Sequence, residues 1–431
     1  MNRFNFTHPR DQIVDIMKRI YGYGMTTTSG GNLSIMDSNG DMWISPGSID
    51  KGTLRREDII CVRADGSIEG PHKPSSEYPF HRAIYQMRPD VKAILHAHPP
   101  ALVSFSVAGK SPDTAVHPTV RQICGTVGYA PYEVPGSEAL GKNVADSFAE
   151  GHSTILLENH GCCTVGATLL QAFQRFETLD FCARLITKAI QLGTPHYLSD
   201  VELQFSHLDR NSGFYPAEYI KHTSEETELR YQMTQLIRRA YRQKLFTSTE
   251  GTFAVRVDED SFLITPRGVD RGNIRPEDMV LINGNQHEGG KTPSRAAWFF
   301  KSIFDEHKEI NSLIIANPPC LMGYAVSHEK FDPRVIPESY IMLREVPAFA
   351  FGTHLRNPEK VVKVISPRYP VIIVENDCIV SSGKTLLEAY DRMEVAEYSA
   401  RATIDAGFLG GMQPINDAQI ADLVKAFKLI P

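Results

Sequence analysis

The chain writes its architecture twice. WISPGSIDKGTLRREDII at residues 43–60 returns as LITPRGVDRGNIRPEDMV at 263–280, an offset of 220. KPSSEYPFHRAIY (73–85) returns as TPSRAAWFFKSIF (292–304) at 219, and LLENHGCCTVGATLLQAFQRFE (156–177) as IVENDCIVSSGKTLLEAYDRME (373–394) at 217. The matches keep their order and the offset drifts by three residues, so the insertions between copies are small and belong in loops. Whatever fold the first copy takes, the second must take as well. The 431 residues, at about 150 per domain, agree with a two-domain reading. Residues 194–224 mix Pro, Gly and polar side chains without sustained periodicity. The expected division is therefore a catalytic domain at 1–200, a connector at 201–224 and a second domain at 225–431.

Within each copy the pattern predicts a helix, strands, a helix, a strand, then strands and a long helix. VKAILHA (91–97) is aliphatic and β-branched and reads as a buried strand that Pro99-Pro100 ends. Leu169, Phe173, Phe176, Leu179, Ala183 and Ile186 recur every three to four residues, one apolar face of a long helix. The second copy opens on the helical pattern EETELRYQMTQLIRRAYRQKL. The fold class that results is α/β: sheets with covering helices in two similar units.

A hydrophobic content of 42% provides for real cores, and a net charge of −6 argues against nucleic-acid or anionic-membrane partners, which require basic surfaces. No apolar run approaches the ~20 residues of a spanning helix, and the N-terminus lacks a signal-peptide core. The seven cysteines are scattered, with no C-x-x-C pair, and read as reduced thiols of a cytoplasmic protein.

The differences between the copies single out the chemistry. ILHAHPP (94–100) becomes LIIANPP (313–319): His96 and His98 give way to Ile315 and Asn317, while the alanine and both prolines persist. Two residues apart on a strand, the two imidazoles project to one face, where a single metal ion can meet them. His160, in a turn between strands, is a candidate third ligand, and its counterpart is Asp377. A hydrogen-bonded core pair is the alternative for any His-x-His; the joint loss of all three favours a metal-binding unit with an open catalytic position. Glu77 becomes Ala296 and Ser76 becomes Arg295, although Pro-Ser before them is kept. Glu77 is thereby a candidate general acid/base, while Ser75 and Ser76 stand either as helix caps or as anion ligands at a helix start. Ser29, Gly31 and Asn32, in SGGNLS, form a small-residue loop able to cradle a phosphate, or a plain tight turn; Ser48 would add a second wall. His81, four residues after Glu77, is either a hydrogen-bond partner near the site or a core residue, since its counterpart is Phe300. His117 and His152 read as surface or supporting residues.

SGGNLS, ISPGS, PSSEYPFH, HAHPP and ENHG, in that order over residues 10–192, resemble the class II aldolase/adducin family, and within it the fuculose-phosphate aldolases. The degenerate copy extends the resemblance over 225–410. The resemblance implies tandem α/β/α sandwiches around a mostly antiparallel sheet, with zinc or another divalent metal on His96, His98 and His160. It further implies substrate phosphate held around Ser29, Gly31, Asn32, Ser48, Ser75 and Ser76. Glu77 would move a proton during reversible cleavage of a ketose 1-phosphate to dihydroxyacetone phosphate and an aldehyde. Family epimerases carry Asp at the Glu77 position, adducin-like relatives lack the metal set, and decarboxylases share the scaffold. Aldolases of this type use an aromatic hydroxyl on the leaving alkoxide; the equivalent loop here is Ala115-Val116-His117-Pro118-Thr119, leaving His117 or a tyrosine from elsewhere. Fourfold rings are common in the family, so a fused pair implies a homo-oligomer, a dimer acting as a pseudo-tetramer.

Overall fold

The structure, a computed structural model, describes residues 7–205, 213–217 and 222–429. It divides into two compact units, Met1–Arg184 and Leu185–Pro431.

The first unit begins with helix α1 (Pro9–Gly22) and strands β1 (Asn32–Met36), β2 (Met42–Ile44), β3 (Ile60–Val62) and β4 (Ile68–Glu69). Helix α2 (Tyr78–Met87) and strand β5 (Ala93–Ala97) follow, then α3 (Pro100–Val107), α4 (Pro118–Cys124), β6 (Val127–Ala130) and α5 (Glu138–Ala149). Strands β7 (Thr154–Leu157) and β8 (Gly161–Gly166) lead into the long helix α6 (Leu169–Leu192), within which the two units divide. The sheet order is β4-β3-β2-β1-β5-β8-β7-β6, antiparallel except for the β6–β7 pair.

The second unit contributes α7 (Asp200–Phe205), β9 (Tyr215–Pro216) and α8 (Ser224–Arg242). Strands β10 (Thr252–Arg256), β11 (Ser261–Ile264), β12 (Val280–Asn283) and β13 (Gln286–His287) precede α9 (Ala297–Glu306) and β14 (Ser312–Ala316). Next come α10 (Pro319–Ser327), α11 (Pro337–Leu343), β15 (Ala348–Phe349), α12 (Thr353–Arg356) and α13 (Pro358–Val362). Strands β16 (Val371–Val374) and β17 (Cys378–Gly383), then α14 (Leu386–Gly407) and α15 (Asp417–Ala426), complete it. Its sheet, β15-β16-β17-β14-β10-β11-β12-β13-β9, repeats the first strand for strand and adds β9 at one edge, parallel to β13.

Alternation along the strands puts a helical layer on each face of the sheet. In β8, Cys163 and Val165 face a core with Phe80 and Ile84 of α2 and Leu140, Val144 and Phe148 of α5. Between them Thr164 points the other way and donates to the Ala172 carbonyl of α6 at 2.8 Å. In β17, Val380 faces Phe300 and Ile303 of α9, while Ser381 donates to the Ala389 carbonyl of α14 at 2.7 Å. Each fully buried Phe or Ile contributes roughly 1.5–3 kcal/mol. This is the tandem α/β/α architecture that the repeat and the family motifs predict.

Two regions depart from the sequence reading. Residues 100–149 hold α3, β6, α4 and α5, elements that the periodicity analysis leaves out. PALVSFSV of α3 is almost wholly apolar and carries no amphipathic signal, whereas α5 does carry one: Leu140, Val144 and Phe148 are buried at four-residue spacing behind an N-cap bond from the Leu140 amide to Ser137 Oγ (3.1 Å). In the stretch expected as connector, α7 and β9 are regular elements; residues 206–212 and 218–221 lie outside the described residues. Among the described residues no helix is long and apolar enough to cross a membrane.

Candidate active site

Asn32, His96 and Cys163 form one row across three strands, since β1 pairs Asn32 with His96 and β8 pairs Cys163 with His96. The row faces α2, where the Phe80 ring meets His96 edge-on at 5.5 Å. His98 follows at the strand end, on the same face. His160 sits in the β7–β8 turn, which Asn159 closes with φ 50°. Ser106 of α3 holds this turn, donating to the Leu157 carbonyl (2.6 Å) and accepting from the His160 amide (3.2 Å).

The three imidazoles converge, with ring centroids 4.8–5.0 Å apart. One coordinating nitrogen from each lies within 4.8 Å of the others, and Nε2 of His96 is 3.0 Å from Nε2 of His98. Nδ1 of His96 bonds the Cys162 carbonyl at 2.9 Å, which makes Nδ1 the protonated nitrogen and leaves the Nε2 lone pair facing inward. Burial, reinforced by the neighbouring imidazoles, holds His96 well below the usual histidine range, and burial lowers His98 too. Neutral rings with convergent lone pairs are the donor set that a divalent metal requires.

Glu77 stands at the N-cap of α2 without capping it. Its carboxylate turns inward, with Oε2 3.2 Å from His96 Nε2 and Oε1 3.2 Å from His160 Nε2. A buried polar thread reaches it from behind. Asn32 Nδ2 donates to Glu77 Oε2 (2.6 Å), and His81 Nε2 bonds Asn32 Oδ1 (2.5 Å). His81 Nδ1 bonds Ser34 Oγ (2.7 Å), which bonds the Tyr85 hydroxyl (2.8 Å). Because the Asn32 amide nitrogen is committed to Glu77, its oxygen accepts from His81, and the Ser34 hydroxyl then donates to His81 Nδ1. Every bond therefore points donor-first toward the carboxylate. Desolvation lowers His81 to about 3, so the relay is neutral and its electrostatic effect ends on Glu77.

The second unit provides an internal control. At the positions of Asn32, Ser34, Glu77, His81 and Tyr85 it carries Thr252, Ala254, Ala296, Phe300 and Phe304. Ala254, Phe300 and Phe304 pack into its core. The fold does not need the polar thread; among the described residues it is present only beside the three histidines.

The phosphate candidates are only partly united. The loop at Gly47 lies against Ser75 and Ser76: a Cβ on Gly47 would come within 3.2 Å of the Pro74 carbonyl and 3.7 Å of the Ser76 amide. Gly136, with φ +80°, closes over the same residues, 2.8 Å from the Ser76 carbonyl by the same measure. Ser48 and Ser76 are exposed here and Ser75 is buried, its Oγ accepting from the Glu77 amide at 3.3 Å. Gly31 (φ +76°) and Gly30 back onto the histidines instead: a Cβ on Gly31 would come within 3.1 Å of the His96 carbonyl, and one on Gly30 within 3.0 Å of His98 Nδ1. Asn32 serves Glu77, and Ser29 is exposed at the loop tip. Lys51, buried, ties both loops together: its amide donates to the Thr28 carbonyl (2.9 Å) and its Nζ to the Pro46 carbonyl (2.6 Å).

The model of the class II aldolase and adducin N-terminal domain matches residues 11–187 and again 231–404. The chain belongs to the class II aldolase and adducin family. One relative, 5-deoxy-D-ribulose 1-phosphate aldolase of Bacillus thuringiensis, is 33% identical over 201 residues, covering 45% of this chain and 92% of that protein. 3-Oxo-tetronate 4-phosphate decarboxylase of Haemophilus influenzae is 30% identical, covering 45% and 94%. L-Fuculose phosphate aldolase of Methanococcus maripaludis is 31% identical, covering 40% and 93%. Each is matched over nearly its full length by less than half of this chain, which is the relation of a single-copy family member to a tandem one.

Two histidines considered in the sequence have local partners in this class II aldolase family member. His117 is buried, accepts the Thr119 amide at the start of α4 (3.2 Å) and packs edge-on against Phe181. His152 bonds the Thr126 carbonyl at 3.1 Å. Ser34 and Tyr85 are the members of the thread that sequence reasoning missed. Their signal was available, as paired polar-to-apolar changes (Ala254, Phe304) in step with His81 and Glu77.

Proposed function

We propose that the first unit is a metal-dependent aldolase that reversibly cleaves a ketose 1-phosphate to dihydroxyacetone phosphate and an aldehyde, in the manner of L-fuculose-phosphate aldolase. The observation that carries this reading is the Glu77 carboxylate held between His96 and His160 at 3.2 Å from each. A carboxylate beside three convergent imidazoles suits a reaction that makes a carbanion next to a carbonyl. His96, His98 and His160 would hold the divalent metal, zinc by this donor set, which supplies Lewis-acid polarisation of the hydroxyketone oxygens. When the bond between carbons 3 and 4 breaks, the C4 hydroxyl gives up its proton to solvent as the aldehyde forms, the electron pair of the broken bond is left on carbon 3, and Glu77 delivers a proton there. In the reverse direction Glu77 removes that proton. Asn32, braced by His81, Ser34 and Tyr85, keeps the carboxylate aimed while its protonation changes. The loops at Ser29–Asn32, Ser48 and Ser75–Ser76 would take the phosphate through backbone amides and hydroxyls. The assembly is a homodimer of tandem chains.

A second reading is favoured by the similarity to a 3-oxo-tetronate 4-phosphate decarboxylase. Loss of carbon dioxide from a β-keto acid leaves the same kind of carbanion for Glu77 to protonate. The test is a panel of ketose 1-phosphates assayed for dihydroxyacetone phosphate, with 3-oxo-tetronate 4-phosphate assayed for carbon dioxide. Release from a ketose 1-phosphate that is abolished by chelation supports the aldolase. Turnover of the keto acid alone replaces it with the decarboxylase, and turnover of neither overturns the assignment.

A further inference from the structure

The second unit has lost all three histidines, yet it gathers another set of donors at the same end of its sheet. Asp377, at the His160 position, follows Asn376 (φ 54°) in a turn matching the one that Asn159 (φ 50°) makes before His160. Cys378 opens β17 at the Gly161 position, and His354 comes from α12. One ligating atom from each of His354, Asp377 and Cys378 lies within 4.8 Å of the other two. His354 Nε2 is 3.4 Å from Asp377 Oδ2, close to the separation of two ligands on one tetrahedral ion, about 3.3–3.5 Å for metal–ligand bonds near 2.1 Å.

The exchange is concerted. In the first unit a side chain at Gly161 is sterically barred, because its Cβ would lie 2.6 Å from both the Ala97 carbonyl and the His98 ring. In the second, Asn317 replaces His98 and donates to the Asp377 carbonyl at 2.7 Å; with the ring gone, the strand begins with a thiol. Phe299 packs edge-on against His354 at 5.6 Å and fixes the imidazole orientation. His354 and Cys378 are buried, while the Asp377 side chain keeps 18% exposure, enough for an ion to enter. A divalent cation there would be bound by the thiolate, the proton passing to solvent, so that thiolate, carboxylate and imidazole would share the ion's charge.

We infer that His354, Asp377 and Cys378 form a second, mixed-donor binding site for a divalent transition metal, with a water completing the coordination. The thiol and imidazole select a zinc-like ion over magnesium or calcium. Site and test are independent of the reaction assigned to the first unit.

The decisive probe is cobalt(II) added to the metal-stripped full-length chain. The two donor groups predict two cobalt ions per chain and a near-ultraviolet sulfur-to-cobalt charge-transfer band, which a site of three imidazoles cannot give. Cys378→Ser should remove the band and His354→Gln should remove one equivalent, each with circular dichroism unchanged. The His96→Ala/His98→Ala double variant should lose the other equivalent and keep the band. A wild-type chain that takes up a single cobalt without the band, or a band that survives Cys378→Ser, overturns the inference.

Discussion

Glu77 occupies the N-cap of α2, where a carboxylate ordinarily serves the helix dipole, but its side chain is claimed by Asn32, His96 and His160. Replacing it with glutamine preserves shape and removes proton transfer, so Glu77→Gln should lower turnover roughly 10²–10⁴-fold with metal content unchanged, measured by steady-state kinetics beside metal analysis. His81→Phe copies the second unit's Phe300 and should fold. Without its brace Asn32 loosens, and kcat should fall roughly 10–100-fold, as for other outer-shell partners, with KM little moved; an unchanged kcat would remove His81 from the mechanism. His81 also leaves a mark on stability. Its value falls from 6.5 unfolded to about 3 folded, so between those limits the unfolded chain binds more protons and stability rises with pH. The contribution is complete above pH 6.5 and is lost progressively as pH falls toward 3. The melting temperature of His81→Phe should therefore depend less steeply on pH across that window than that of the wild type.

At the level of elements, β5 does most to place the site, because one five-residue strand carries His96 in register with Asn32 on one side and Cys163 on the other. Its histidines were legible as a same-face pair from spacing alone. Their convergence with His160 was not, because it depends on the left-handed Asn159 turn and on Ser106 from α3, a helix without an amphipathic pattern. Gly161 belongs to the same arrangement. A methyl group there must displace the His98 ring or the strand, so Gly161→Ala should weaken metal retention tenfold or more on the outer-shell scale, read by competition with a chelator. Ser75, open in the sequence between helix cap and anion ligand, makes a single long bond to the Glu77 amide, and the N-cap of α2 is Glu77 itself.

At the scale of the whole molecule, the proposed dimer of tandem chains is tested by light scattering, which should give twice the chain mass; a monomer would refute it. The duplication, the fold class shared by both units and the asymmetry of their chemistry were all readable in the sequence, because repeated patterns and paired substitutions are local facts. A residue and its counterpart, such as His81 and Phe300 or Glu77 and Ala296, can be compared without coordinates. What only the tertiary structure decided is which of those differences touch one another. The thread from Tyr85 to Glu77 joins residues from β1 and α2, and the His354, Asp377 and Cys378 cluster joins α12 to the β16–β17 turn. Neither has a sequence period, because hydrogen bonds and coordination are fixed by distances in space, and those exist only once the sheet has brought its strands together.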